Sequence, residues 1–273
     1  MRIVAFLDQS LYAPSVVDHV AWLARGRSAQ VELVQIVSPD ELVAAQIAPI
    51  HPSVSVPIEA VRATARAEDM ARTGARQLDE ARDGLRALGV DDVKVWLLEG
   101  SIASLMLEAA AGAALVVMGK RGENADLARL PLGSHVESLA RGIATPVLAV
   151  SRSFRPIERM VAAIDEDDAA TVEALAAGII PAGPIELLHV GEAAPPIEAA
   201  LESAAARLTA AGFAASRAIV SGEPRFVIPE RVVLERFDLL AIGGFGGSRL
   251  KSLILGSLTG ELLRACQVPI LLG

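Results

Sequence analysis

The sequence predicts an α/β protein built of two tandem domains, each a doubly wound parallel sheet, paired as an intrachain pseudo-dimer. Three observations lead there. The chain repeats itself in order: IVAFLD (3–8) echoes MVAAID (160–165), VELVQIV (31–37) echoes IELLHV (185–190), and LVVMGKRG (115–122) echoes LLAIGGFG (239–246). The last echo is LGSHVESLARGIATPVLAV (132–150) against LGSLTGELLRACQVPILLG (255–273). Within each repeat, apolar runs of five or six residues alternate with amphipathic stretches, the signature of strands covered by helices on both faces. Finally, Pro146 and Pro269 open the last apolar run of each half, where a missing N–H costs little. A strand that ends a domain is a free edge, and free edges pair. The expected arrangement is two five-stranded sheets, one per domain, meeting along their last strands without forming one continuous sheet.

In the first half the strands are expected near 2–7, 31–37, 93–98, 114–118 and 146–150, and the helices near 14–27, 58–88, 102–112 and 134–141. The join falls at SRSFRP (151–156), giving domains 1–151 and 156–273. The offset between echoes falls from 157 at Asp8/Asp165 to 124 at the glycine runs, so the second half is shorter by 33 residues. Most of that difference lies in SPDELVAAQIAPIHPSVSVP (38–57) and the charged helix after it. Prolines 39, 49, 52 and 57 suppress regular structure there, and the insert is expected to be the most mobile part of the chain. The Glu/Arg-rich stretch 62–86 reads as a solvated helix face.

Composition excludes several classes of function. The chain has 273 residues, 52% of them hydrophobic, a mean hydropathy of +0.45, 3% aromatics and a net charge of −8. An acidic chain poor in stacking rings does not suit nucleic acid. The single cysteine, Cys266, excludes an intrachain disulfide and fits a reducing compartment. MRIVAFLDQS places an acid at position eight, unlike a signal peptide. The stretch 102–119 is broken by Glu108 and reads as helix, turn and strand, not as a membrane span. The expectation is a cytoplasmic protein without a membrane partner. Four histidines (His19, His51, His135, His189) share no ligand spacing, so no metal site is expected, and His189, inside an apolar strand, reads as a satisfied core residue.

The glycines carry the functional signal. After the apolar run DLLAI (238–242) comes Gly243-x-x-Gly246, nine residues, then Gly256-Ser257. Glycines after a parallel strand lie at the carboxyl edge of the sheet, where open α/β sheets bind ligands. They allow close approach of the main chain, Ser257 suits the start of the helix LTGELLRAC, and the amides there favour an anion such as phosphate. Arg249 and Lys251 could add charge. The P-loop, the dinucleotide fingerprint and the G-x-S-x-G elbow are all absent.

This pattern resembles the universal stress protein family: an Asp ending the first strand (Asp165), G-x-x-G after the fourth, nine residues, G-S, and a closing Pro-Val-Leu-type strand, here Pro269 to Leu272. The resemblance covers nearly all of both halves and implies a Rossmann-like, adenine-nucleotide alpha-hydrolase-like fold. In ATP-binding members the Asp and the end of the second strand hold adenine, while the glycines and Ser hold ribose and phosphates. The resemblance thus implies a site at Asp165, Val190, Ile242, Gly243, Gly246, Gly256, Ser257 and Leu258, with ATP and its Mg2+ as ligand. In the first half it implies Asp8, Val37, Gly119, Gly122, Gly133 and Ser134, with Lys120 and Arg121 positioned for phosphate. There ten residues, ENADLARLPL, replace the nine, Pro131 stiffens the approach, and His135 stands where the second half has Leu258.

Asp8 and Asp165 have a structural alternative, since an Asp after a strand also caps a turn. No nucleophile is paired with a base, so at most slow ATP hydrolysis is expected. The reading is an ATP-binding stress-response regulator that acts through ligand-dependent conformation or partner binding. The alternatives are a scaffold of the same fold without nucleotide, and a slow ATP hydrolase. One or two nucleotides per chain, homodimerisation and the protein partner stay open.

Overall fold

A computed structural model describes residues 1–38, 56–120, 134–165, 169–243 and 258–273. The first half contains β1 (Arg2–Leu7), α1 (Ala13–Ala24), β2 (Gln30–Val37), α2 (Val56–Ala87), β3 (Val93–Glu99), α3 (Ile102–Ala110), β4 (Leu115–Gly119), α4 (Ser134–Gly142) and β5 (Val147–Val150). The second contains β6 (Met160–Ala163), α5 (Ala169–Ala176), β7 (Pro184–Val190), α6 (Pro195–Ala210), β8 (Ala214–Val220), α7 (Pro224–Leu234), β9 (Leu239–Ile242), α8 (Thr259–Ala265) and β10 (Ile270–Leu272). Most first-half bounds fall within a residue or two of those read from periodicity. Pro57 does not delay α2, because in the first turn of a helix its missing N–H has no intrahelical partner to lose. The expected mobility of the insert 38–57 falls, apart from Ser38, Val56 and Pro57, outside the described residues.

The strands form one ten-stranded sheet in the order β3-β2-β1-β4-β5-β10-β9-β6-β7-β8. This corrects the expectation of two separate sheets. The halves do meet along their last strands, but those edges hydrogen-bond to each other, which satisfies both rows of free backbone groups at once. The pairing of β5 with β10 is antiparallel, Leu271 opposite Leu148, and every other pairing is parallel. Leu148 and Leu271 are equivalent at the repeat offset of 123, so the pseudo-twofold axis passes between them. Pro146 and Pro269 sit just before these strands and still accept, from Val116 N–H at 2.9 Å and Leu240 N–H at 3.1 Å.

Each face of the sheet carries a core that runs through both halves. One gathers Val20 and Leu23 of α1, Leu78 and Leu85 of α2, Leu175 of α5 and Leu208 of α6 over Ile3, Leu33, Met160 and Leu187. The other gathers Met106 of α3, Leu139 of α4, Val232 of α7 and Leu262 of α8 over Val4, Val116, Val161 and Leu240. Alternate strand residues point to opposite faces, and with helices on both sides the inner strands β4, β5, β6, β9 and β10 carry no polar side chain. The long helix α2 turns Gly74, Leu78 and Leu85 inward, while Arg72, Arg76 and Arg82 pair with Asp69, Glu80 and Asp79 on the outside, as a solvated face should.

His19 of α1 is fully buried and meets Phe154, in the join, edge to face at 4.8 Å between ring centres. Its Nδ1 lies 2.7 Å from the Ser15 carbonyl, and its Nε2 is buried with no hydrogen-bond partner. Burial holds this imidazole below its ordinary value of 6.5, outweighing the Ser15 carbonyl and Asp18, which pull the other way. The unfolded chain therefore takes up the proton first as the pH falls. The contribution of neutral His19 is complete above about 6.5 and declines below it. Melting temperature should drop between pH 7.5 and 5.5, above the range where most carboxylates titrate, and His19→Gln should drop less steeply. Parallel declines in the two proteins would remove His19 as the cause.

Candidate functional site

In the second half, β6 lies between β9 and β7, with Ala163 level with both Ile242 and Leu188. The chain leaves β6 as Ile164-Asp165, leaves β9 as Gly243 and leaves β7 as Gly191. Three neighbouring strand ends thus bring Asp165, Val190, Ile242 and Gly243 to one carboxyl edge. Asp165, Val190 and Gly243 are half-buried, while Ile242 is buried in the core beneath them. Leu258 is half-buried at the entry to α8 and packs against the core that contains α8. Gly246, Gly256 and Ser257 lie outside the described residues.

His189, expected to be a core residue, is instead half-buried at this edge. Its Nδ1 lies 3.1 Å from the Ile164 carbonyl, and a carbonyl can only accept, so Nδ1 is the protonated nitrogen. The ring folds over Gly191, where a Cβ would come 2.7 Å from Nε2. A side chain at 191 would displace the ring from this place. The signal for His189 as a site neighbour was its polarity near the end of an apolar strand, two residues before the glycine. The Gly191 N–H donates to the Val220 carbonyl at 2.9 Å, which ties this strand end to the edge strand β8.

The first half repeats the frame but fills it differently. Asp8 follows β1 between the ends of β2 and β4. One carboxylate oxygen accepts from the backbone N–H of Ser10 at 3.1 Å and from its hydroxyl, the turn-capping role that an Asp in this place can also serve. Helix α2 reaches this loop: Gln77 Nε2 donates to the Asp8 carbonyl at 2.9 Å, and Gln9 Nε2 donates to the Met70 carbonyl at 3.1 Å. The strand registers, Ile3 opposite Val31 and Met160 opposite Ile185, align Gln35 with His189, Ile36 with Val190 and Val37 with Gly191. Val37, matched with Val190 by sequence, is therefore one residue further along. Val37 and Ser38 are buried, and Gln35 is pressed against Gly74 of α2.

Gly119 ends β4, half-buried. Lys120, expected to face phosphate, points elsewhere: its ammonium donates to the carbonyl of Cys266 at 2.8 Å and to that of Val268, and the residue is 5% exposed. Cys266 caps the C-terminal end of α8, where unpaired carbonyls and the helix dipole attract a cation, and Val268 follows in the connection to β10. Gly122, Gly133 and Arg121 lie outside the described residues, and α4 begins at Ser134 itself. No cluster of three metal-ligating side chains occurs among the described residues, and no helix among them is long and apolar enough to cross a membrane.

Residues 1–151 and 156–272 each match the Universal stress protein family. A universal stress protein of Synechocystis sp. is 28% identical over 199 residues, covering 71% of this chain and 69% of its own. Among solved structures, a universal stress protein of Archaeoglobus fulgidus superposes with a TM-score of 0.67 at 16% identity, over 99% of this chain and 95% of that one. A Pseudomonas aeruginosa chain described under the same family name reaches 0.59 at 17% identity, over 99% and 92%. At such identities the two structures speak for the fold.

Proposed function

The chain belongs to the universal stress protein family, and on that premise we propose that it binds ATP at the carboxyl edge of its sheet and acts as a stress-response regulator through the bound state. One observation carries this reading. A carboxylate (Asp165), an apolar strand end (Val190) and a glycine (Gly243) project from three adjacent parallel strands, each half-exposed, at the edge where such sheets take ligands. In this reading Asp165 accepts a hydrogen bond from the nucleoside and Val190 gives the base an apolar contact. Gly243, with Gly246, Gly256 and Ser257 of the motif, receives ribose and phosphates. ATP would bring Mg2+ on its own phosphates.

The chemistry assigned to these groups is holding, not turnover. Main-chain donors can stabilise phosphate charge, but hydrolysis also needs an activated water. A regulator that retains ATP and changes shape or partner with it fits this set better than an efficient hydrolase. Mass spectrometry of small molecules released by denaturing gently purified protein should find an adenine nucleotide at a substantial fraction of the protein. A wild-type chain that carries none and takes up none in titration would favour a scaffold without nucleotide.

A further inference from the structure

We infer that the chain binds one nucleotide, not two, and that the second half holds it. The inference rests on the proposed ATP site and adds its stoichiometry and place. It comes from comparing the two halves at equivalent positions. At the end of the second strand, the second half presents His189, Val190 and Gly191, all half-exposed. The first half has Gln35, Ile36 and Val37 there, and both Gln35 and Val37 are buried, at 2% and 3% exposure. Where one half has a glycine beneath a half-exposed imidazole, the other has an isopropyl group already packed in the core.

The groups beside that opening differ in the same direction. The carbonyl of Asp8 is bonded by Gln77, and Gln9 is bonded back to α2, so the loop after β1 is fastened to a helix. Gly74 of that helix sits so close to Gln35 that a Cβ there would lie 2.7 Å from its amide group. The lysine that follows Gly119 donates to the carbonyls of Cys266 and Val268 in the other half. In sequence the residue corresponding to Lys120 in the second half is another glycine, Gly244. The first half thus serves as the braced partner of the pseudo-dimer. Its α2 packs over the strand ends where a base would enter, and its lysine anchors the last helix of the half that binds.

The test is ATP titration of the full chain by calorimetry, with native mass spectrometry to count the bound nucleotides. The wild type should bind one ATP per chain. Asp165→Ala should weaken that binding at least tenfold. Gly191→Val, which copies the first half's Val37 and displaces the His189 ring, should do the same. It also serves should Asp165→Ala fail to fold, with circular dichroism reporting the fold of each variant. Two equivalents in the wild type, or one equivalent retained at full affinity in folded Asp165→Ala or Gly191→Val, would overturn the inference while leaving ATP binding intact. A wild type that binds no ATP overturns the proposed function and the inference with it.

Discussion

ATP at a hundredfold above its dissociation constant should raise the melting temperature of the wild type by roughly 5 to 10 °C. The figure follows from linkage: a ligand that binds only the folded state adds about 2.7 kcal/mol at that excess. For a chain of this size each kcal/mol moves the midpoint by roughly 2 to 4 °C. Gly246→Val should remove most of the shift, because a branched side chain would occupy the space where main chain meets phosphate. Gly122→Val should remove less of it, since the inference above places the ligand in the second half. ADP, cAMP and GTP in the same series would rank the contribution of phosphate number and base. Equal shifts in all three proteins, or none in the wild type, would mean that the glycine run is not a nucleotide cradle.

The repeat, the strand positions and the meeting of the halves along their last strands were legible because they depend on patterns along the chain. An apolar run of five residues flanked by turns reads as a strand wherever it occurs, and Pro146 and Pro269 mark the same strand in both halves. The carboxylates and glycines were legible for a related reason. Strand order in a doubly wound sheet sends the residues after β6, β7 and β9 to one edge, whatever the helices between them do. The single sheet was missed because periodicity says that an edge is free without saying whether its partner is a strand or only a packed surface.

Side-chain direction was the harder part. Lys120 stands beside the glycines in sequence, and a lysine beside a glycine loop is a natural phosphate ligand. Its four-carbon stem reaches several ångströms either way, and nothing in the spacing tells that it turns toward the carbonyls of Cys266 and Val268. The one-residue slip between Val37 and Val190 has a similar origin. Both are valines near the end of a strand, and only the ladder, Ile3 with Val31 and Met160 with Ile185, shows that the second strand of the first half runs one residue longer. The docking of α2 on the Asp8 loop involves Gln77 and Met70, more than sixty residues away, and no local pattern announces it.

Lys120→Met should lower the melting temperature by roughly 4 to 8 °C while leaving ATP affinity within about twofold of the wild type. Methionine keeps the length and apolar stem of lysine, so little cavity is expected. What disappears is the ammonium. The carbonyls of Cys266 and Val268 lose a charged donor in a place where the lysine is 5% exposed. A buried carbonyl left without a partner costs about 1 to 3 kcal/mol, and release of the ammonium from its own desolvation offsets part of that. A net loss of about 2 kcal/mol corresponds to the stated temperature range. Burial pushes the Cys266 thiol up to about 11, against the pull of Lys120, so it stays a neutral thiol at pH 7 and takes no charge when the lysine is gone. The affinity arm separates the two roles Lys120 could have. As an anchor between the halves it supports the fold and touches no phosphate, so stability falls and affinity holds. If the melting temperature stays unchanged and ATP binding weakens tenfold, the lysine belongs to the phosphate site after all.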